Sequence, residues 1–255
     1  PQPTKAGAWQ CVTGKPIIPP ETIPAKIKLT MTALSYGDFS RRAGIRFRAC
    51  VNRLDTTCKN IAGEGITNDT GVTQFEVKTI PSQGFTGYIK ILDERTEEQK
   101  MKDSPPKTFV PFHYFFSNNL YADFTVPPSI VATQEDVDNL AKGAGKELQE
   151  DENAGLNHIS ATIIDCNAKT AAGVTFDITE PDGTLPSTAI RWYLNQGSAS
   201  AVASSTDALG LGGVLFLSTG KEHKIVARNS EGKIVSEGGL LLAPNALCTM
   251  LMLPR

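Results

Sequence analysis

Apolar and polar side chains alternate at every second position in many segments of this chain. The segments 25–33, AKIKLTMTA, and 171–180, AAGVTFDITE, show the alternation clearly. Successive side chains of a β-strand point to opposite faces of the sheet, so each such segment has one face to bury and one to expose to water. A chain that repeats this pattern in both halves is expected to pack sheet against sheet.

Turn-forming residues separate these segments. Clusters of Gly, Pro, Asn and Asp, such as TNDTG at 67–71, lie between the predicted strands. These residue types tolerate positive φ angles or bond back to their own backbone, which favours tight turns. Short strands at this spacing are typical of a β-sandwich, and 255 residues suffice for two of them. We therefore predict an all-β fold of two tandem antiparallel β-sandwiches.

One short helix is expected between the two halves. Thr133 precedes the segment QEDVDNLAKGAGKELQEDEN and is a suitable N-cap, with Glu135 and Asp136 near the positive end of the helix dipole. Val137 and Leu140 begin an apolar stripe at helical spacing. The predicted organisation is an extended N-terminal tether at 1–24, a first sandwich at 25–130, a helical connector at 131–153 and a second sandwich at 154–255.

Two segments of the first half depart from simple alternation. Residues 93–107, DERTEEQKMKDSPPK, are charged and end in prolines, and we interpret them as a solvated excursion. Residues 108–126 are the most aromatic stretch of the chain. Aromatic side chains on both strand faces favour core strands over a binding platform in this stretch.

The two halves share a set of turn and core positions. The first half carries Asn68, Asp69, Gly71, Phe75, Gly87 and Tyr88, and the second half carries Ala172, Gly173, Val174, Thr206, Asp207, Gly210 and Phe216. This pattern resembles the carboxypeptidase regulatory-like, or transthyretin-like, β-sandwich module. The second half departs from it at His223, where the family has a closing Tyr, and in an extra Gly-rich loop at 210–213.

The resemblance implies two Ig-like sandwiches and an exported structural unit or a non-catalytic companion of other domains. Trp9, Cys11 and the segment CVNRLDTTC also look like parts of tandem-module envelope proteins of gliding soil bacteria. The shared positions are turn and core residues, so they speak to the fold and leave activity open.

The chain has five cysteines. Cys50 and Cys58 lie at the two ends of the polar segment CVNRLDTTC and are predicted to form a disulfide across a local loop. For Cys166 two pairings stay open, one with Cys248 in the last predicted strand and one with Cys11 near the start of the sequence. Disulfides persist in oxidising compartments. We therefore expect the protein outside the cytoplasm, secreted or at the cell surface, with a lipid anchor as one means of attachment.

The opening sequence agrees with this expectation. It lacks an initiator Met, and six of the sixteen prolines come before residue 25. Such a start is typical of a mature chain from which a leader has been removed, or of a trimmed chain. Its composition favours an extended segment over a folded element.

Motifs for enzymatic chemistry are missing from the sequence. It has no GxSxG nucleophile motif, and the GAGK at 143–146 lacks the residues of a phosphate-binding loop. Single histidines in strands, such as His113 and His223, are far more often structural than catalytic. No Cys and His spacing fits a zinc site. The sequence therefore predicts no enzymatic activity, no cofactor and no bound metal.

Charge and hydropathy exclude other classes of function. The formal net charge is −2, which argues against bulk attraction to nucleic acid, and no apolar run is long enough to span a bilayer. The most basic stretch contains Arg41, Arg42, Arg46, Arg48 and Arg53. We favour a solvated strand whose charges deter edge pairing. The functional alternative is a patch for an anionic partner, such as a glycan or the acidic segment 147–152 of another copy.

These observations predict an exported, non-enzymatic structural or interaction protein of the cell envelope or extracellular matrix. Residues 1–24 could add to the sheet of a neighbouring copy, which would build a filament or a surface array. The main alternative is an accessory carbohydrate-binding module that uses Trp192, Tyr193 and Tyr121 as exposed aromatic contacts. A third alternative, an enzyme site at the domain junction, has no supporting residue.

Overall fold

The structure is a computed structural model that describes residues 8–15, 17–103, 105–145, 158–187, 189–195, 198–244 and 246–255. Over these ranges the chain forms sixteen strands and two helices, which confirms the predicted all-β class. The chain divides into two compact units, named here for their place in the sequence. The inner unit comprises Pro19–Tyr114 and Asn119–Asp138. The outer unit comprises Pro1–Ile18, Phe115–Asn118 and Asn139–Arg255.

The elements follow one another along the chain with short connections. The first half contains β1 (Lys26–Ser35), β2 (Ile45–Cys50), β3 (Ile61–Ile66), β4 (Val72–Lys78), β5 (Tyr88–Asp93), α1 (Glu97–Lys100), β6 (Phe112–Phe116), β7 (Phe124–Thr125), β8 (Ser129–Val131) and α2 (Gln134–Gly143). The second half contains β9 (Ile159–Ile163), β10 (Thr175–Thr179), β11 (Ile190–Asn195), β12 (Ser198–Ser200), β13 (Leu211–Leu215), β14 (Glu222–Arg228), β15 (Ile234–Leu241) and β16 (Leu247–Met252).

The inner unit contains two sheets. In one sheet β1 pairs with β4 antiparallel and with β7 and β8 parallel. In the other sheet β2 lies between β3 and β5, antiparallel to both. The alternation in β1 buries its apolar residues and leaves its lysines and threonines toward water, as the sequence predicts. Parallel pairs occur beside the antiparallel ones that we predicted, because β7 and β8 return to β1 in the direction of that strand.

Strand β3 passes very close to β4, and two glycines make this approach feasible. A Cβ atom on Gly63 would lie 2.0 Å from the carbonyl oxygen of Glu76. A Cβ atom on Gly65 would lie 2.5 Å from Oγ1 of Thr73. Any larger residue would force the two strands apart, so these glycines let β3 and β4 close one side of the inner unit.

The outer unit also contains two sheets. One sheet has the strand order β12-β11-β13-β9-β16, and the other has the order β10-β14-β15. Strand β16 runs parallel to β9, with Cys248 opposite Ile159 and Met252 opposite Ile163. The neighbouring pairs in this unit, such as β9 with β13 and β10 with β14, are antiparallel.

The predicted helix and its N-cap are present. The Thr133 hydroxyl accepts a hydrogen bond from the backbone N–H of Asp136 at 3.1 Å, and the Asp136 carboxylate accepts one from the backbone N–H of Thr133 at 2.8 Å. This reciprocal pair is a capping box, which fixes the first turn of α2. The acidic segment 147–152 lies outside the described residues.

Two interpretations of the first half have different outcomes. All five residues of β6 are buried, which confirms the core interpretation of the aromatic stretch. The interpretation of 93–107 as a solvated excursion holds for most of the described residues of the segment but is wrong for Arg95 and Asp103, which are buried. Their charges are paired within the fold, as described below, so a charged sequence was compatible with burial.

Candidate functional site

The predicted basic patch lies on β2 and in the turns beside it. Arg46 and Arg48 share one face of β2, and the Glu64 carboxylate of β3 lies between them. It contacts Arg46 Nη1 and Arg48 Nε, each at 3.1 Å, and Arg46 Nε also lies 2.6 Å from a carboxylate oxygen of Glu94. These ion pairs hold the pKa of Glu64 below its ordinary value, chiefly through the hydrogen bond from Arg48.

The remaining arginines are separated from this face. Arg41 donates a hydrogen bond to the backbone oxygen of Thr70 at 3.2 Å, and Arg42 forms ion pairs with Asp38 and Asp103. Arg53 lies in the loop between the paired cysteines of the inner unit. The structure thus gives Arg42, Arg46 and Arg48 carboxylate partners from their own chain, and binding of an anionic partner here stays a prediction.

The most highly charged buried cluster of the inner unit was not anticipated from the sequence. The Arg95 guanidinium forms two hydrogen bonds with the Asp93 carboxylate, both at 2.9 Å, and one with Asp103 at 2.7 Å. Arg42 reaches the same Asp103 carboxylate. The ring of Phe109 lies under Arg95, with 4.3 Å between the guanidinium carbon and the ring centroid. The cluster fastens the segment 93–109 to the turn before β2.

Hydrogen bonding controls the ionisation of this cluster. Burial alone would raise the pKa of Asp93, but hydrogen bonds from Arg95 and from the backbone N–H of Phe109 outweigh it and hold the pKa below its ordinary value. Burial would lower the pKa of Arg95, but the two carboxylates raise it. Asp93 and Arg95 are therefore both charged at neutral pH and compensate each other. The only sequence signal was the Asp-x-Arg spacing at the end of β5.

Two disulfides are present, and one corrects a prediction. Cys50 and Cys58 are bonded, as their spacing predicts, with 5.1 Å between their Cα atoms. Cys166 is bonded to Cys11, the second of the two pairings left open. The pairing of Cys166 with Cys248 is therefore wrong. Cys248 is a free and fully buried thiol within β16.

The Cys11–Cys166 bridge fixes the N-terminal segment to the outer unit. The backbone N–H of Cys166 donates to the carbonyl oxygen of Ala8 at 3.0 Å, and Lys233 Nζ donates to the carbonyl oxygen of Val12 at 3.1 Å. Ala8 and Val12 are buried. This part of the predicted tether is thus packed against its own unit, while residues 1–7 lie outside the described residues.

The Cys50–Cys58 loop is held in one conformation by its own side chains. The Asp55 carboxylate accepts hydrogen bonds from the backbone N–H groups of Thr57 and Lys59, at 3.0 and 2.9 Å. The hydroxyl of the fully buried Tyr88 donates to the carbonyl oxygen of Asp55 at 2.7 Å. These bonds fix the loop from within and from the core side.

Cys248 provides a direct test of the thiol count. Burial raises the pKa of this thiol to about 12, so that it is neither accessible nor ionised at neutral pH. We expect a thiol reagent to label no cysteine in the folded protein and one cysteine per chain after unfolding without reductant. Labelling of three or more cysteines in the unfolded, unreduced protein would contradict the bridges.

His113 in β6 is a buried histidine that stays neutral. Its ring packs at a tilt against the ring of Tyr88, with centroids 4.9 Å apart, and its Nδ1 has no hydrogen-bond partner in the structure. Burial, together with a smaller effect of the Lys90 charge, lowers the pKa of His113 to about 4. The environment favours a core role over acid–base catalysis.

This histidine predicts a pH-dependent stability. In the unfolded chain the pKa of His113 is about 6.5. Its neutral form is therefore favoured by folding, and the stability is complete above pH 6.5 and falls as the pH drops from 6.5 toward 4, by about 3 kcal/mol in all. Denaturation of the His113→Phe variant should show a correspondingly flatter pH profile in this window. An unchanged profile would contradict the assignment.

His223 and its neighbours hold backbone in the outer unit. His223 is fully buried, and its Nε2 lies 2.9 Å from the carbonyl oxygen of Ser218. The Glu180 carboxylate accepts a hydrogen bond from Lys221 Nζ at 2.6 Å. Glu222 is exposed on the opposite strand face from His223, as strand geometry predicts. The arrangement fixes the loop before β14.

Two of the three predicted aromatic contacts for a sugar are buried. Trp192 and Tyr193 of β11 are 2% and 3% exposed. The Tyr193 hydroxyl accepts a hydrogen bond from the backbone N–H of Phe176 at 2.8 Å, and Trp192 packs in the core cluster with Ala141. The prediction that these two side chains stack on a glycan is wrong, because β11 is covered on both faces. Tyr121 is half-buried.

Within the described ranges, no group of three or more His, Cys, Asp or Glu side chains is arranged to hold a metal ion. None of the helices in these ranges has the length and apolar character needed to cross a membrane.

Comparison with known proteins gives matches in structure alone. No protein-family model matches the sequence, and no curated protein matches it. The shaft pilin SpaA of Lactobacillus rhamnosus GG aligns over 90% of this chain and 98% of its own, with 12% identity and a TM-score of 0.27. The minor pilin GBS52 of Streptococcus agalactiae aligns over 90% of this chain and 96% of its own, with 13% identity and a TM-score of 0.25.

These TM-scores are too low to establish a common fold with the pilins. The assignment as two-sheet β units rests on the strand pairing described above. The resemblance to the carboxypeptidase regulatory-like module stays a prediction.

Proposed function

We propose that this chain is an exported structural or interaction protein of the cell envelope or extracellular matrix, without enzymatic activity. The observation that carries the proposal is the pair of disulfides, Cys11–Cys166 and Cys50–Cys58. Such bonds form and persist in oxidising compartments and are rare in the cytosol. Each bridge fixes a segment that contributes few buried side chains of its own, which is the usual task of disulfides in exported domains.

The roles of the ionisable side chains support a structural function. The charges of Arg95 and Asp93 compensate each other in the interior. The ring of His113 packs against that of Tyr88 in the core. The ring of His223 hydrogen-bonds to the carbonyl oxygen of Ser218 in a loop. Each of these groups stabilises backbone or packing. The shifted pKa values of Asp93, Arg95 and His113 are therefore explained by burial and charge pairing within the fold.

Self-assembly into a filament or a surface array is the finer part of the proposal. Ala8 and Val12 are buried on their own outer unit beside the Cys11–Cys166 bridge, so these two residues are not available for a donated strand. Light scattering of the purified chain at rising concentration tests assembly. A molar mass that grows with concentration supports self-assembly. A constant monomer mass would contradict the filament but would not affect the proposal of export.

Protease treatment of intact cells tests the location. We expect the protein in its natural host to be cleaved by added protease without lysis, whereas a cytosolic marker stays intact. Protection of the protein until the cells are lysed would contradict export to the surface, and its recovery from the medium would place it in the matrix or among secreted proteins.

A further inference from the structure

We propose that the Cys11–Cys166 bridge removes the inner unit from the path along which tension passes between the two ends of the chain. This inference adds a mechanical property to the proposed structural role and rests on it, since only a protein under tension would use the property. It follows from the order of the segments and from one covalent bond.

The connectivity makes the bypass complete. The bridge joins two residues that are 155 positions apart. Both segments of the inner unit, Pro19–Tyr114 and Asn119–Asp138, lie between these two cysteines in the sequence. Tension that enters at the N-terminal end reaches Cys11, crosses the S–S bond to Cys166 and continues toward Arg255. A covalent bond bears more load than the non-covalent contacts of a folded unit. The chain between Cys11 and Cys166 is therefore under no tension.

The contacts around the bridge place the load on the outer unit. Ala8 and Val12, on either side of Cys11, are buried, and their carbonyl oxygens accept hydrogen bonds from Cys166 N–H and Lys233 Nζ. These are contacts within the outer unit. The N-terminal segment therefore delivers force to the unit that holds the C-terminal end of the chain.

The load then acts on one end of a parallel strand pair. Cys166 follows β9 closely, and the C-terminal end of the chain follows β16. Since β9 and β16 are parallel, with Met252 opposite Ile163, both points of load lie at the same end of this pair. The hydrogen bonds between the two strands then break one after another, beginning with the bond from Ile164 N–H to the carbonyl oxygen of Met252.

The two units would therefore respond differently to tension. The outer unit can open and extend under load, whereas the inner unit keeps its Cys50–Cys58 loop and its buried Arg95 cluster in place. Any surface that the inner unit presents to a partner would then survive a pull that unfolds the outer unit.

Single-molecule pulling between the two ends of the full chain tests the proposal. With the bridge intact, unfolding can release only the roughly 90 residues after Cys166, which is about 300 Å of extended chain. In the double variant C11S/C166S, the 155-residue span between the two positions is also released, apart from the 8 residues still closed by the Cys50–Cys58 bridge, which adds about 500 Å. We expect the total extension to be about 2.7 times that of the bridged protein.

Two further measurements keep the test decisive. The control variant C50S/C58S lacks the bridge of the inner unit, and its extension should equal that of the unchanged protein because the inner unit bears no load. If C11S/C166S does not fold, addition of a dithiol reductant to the bridged protein held in the trap should lengthen it by the same 500 Å or so. Full extension of the bridged protein, or lengthening in C50S/C58S alone, would overturn the proposal. Both readouts use purified oxidised protein and are therefore independent of the evidence for export.

Discussion

Replacing Cys11 and Cys166 together by Ser is expected to lower the free energy of complete unfolding by about 5 kcal/mol. A disulfide restricts the unfolded chain more when it closes a longer loop, and this bridge spans 155 residues. The Cys50–Cys58 bridge spans 8 residues, so the same change there is expected to cost about 2.5 kcal/mol. The difference follows from the lengths of the two loops.

Denaturation in guanidinium chloride, with the unfolding of both units followed by circular dichroism, measures this pair of variants against the unchanged protein. Each variant replaces two cysteines by serines, so the chemical change is matched. A loss in C11S/C166S no larger than that in C50S/C58S would show that the long bridge does not restrict the unfolded chain as the connectivity requires.

Replacing Arg95 by Met is expected to destabilise the inner unit by about 3–5 kcal/mol. The side chains of Arg95, Asp93 and Asp103 are only 3%, 3% and 5% exposed. Removal of the guanidinium leaves the Asp93 carboxylate buried without its main partner, and the cost of that uncompensated charge dominates. Below neutral pH the difference in stability between the variant and the unchanged protein should shrink, as Asp93 becomes protonated in the variant.

A matched control comes from the surface of the same unit. Lys26 forms an ion pair with Glu76 at 2.7 Å, but both side chains are more than half exposed. We expect Lys26→Met to leave the unfolding midpoint nearly unchanged, because water already solvates both charges. If Arg95→Met unfolds at the same denaturant concentration as Lys26→Met, the buried cluster does not stabilise the segment 93–109.

The alternation of side chains predicted most of the strands because it is a local property. The positions that alternate in β1 and β10 are those that the structure buries. The cap of α2 was predictable for the same reason, since Thr133 and Asp136 are three residues apart. Strand alternation and helix capping depend on residues that are close together in the sequence, so these elements could be predicted without knowing which distant residues they contact.

The pairing of Cys166 was open because it depends on contacts far apart in the sequence. Cys248 lies in the strand adjacent to β9 and is in that sense a neighbour of Cys166. Its side chain is fully buried in β16, however, while the N-terminal segment brings Cys11 to the half-exposed Cys166. The residues around Cys11 carry no sequence pattern that predicts the packing of this segment on the outer unit.

The buried charges and the buried Trp192 were misjudged for a related reason. A charged segment is buried only when a partner from another element neutralises it, and the partner Arg42 lies in a distant turn. Adjacent aromatic residues in a strand are both buried only when both faces are covered. Strand β11 meets that condition, since Trp192 packs with Ala141 and Tyr193 stacks on Phe176, with ring centroids 6.1 Å apart.

Export and the two bridges are tested together by peptide mapping with mass spectrometry of the protein taken from its natural host, alkylated before lysis and kept unreduced. We expect one peptide pair linked through Cys11 and Cys166, intact bonding of Cys50 to Cys58, and alkylation of Cys248 only after unfolding. Recovery of Cys11, Cys50, Cys58 and Cys166 as alkylated thiols from the freshly isolated protein would contradict this expectation, because the chain would then reside in a reducing compartment without either bridge.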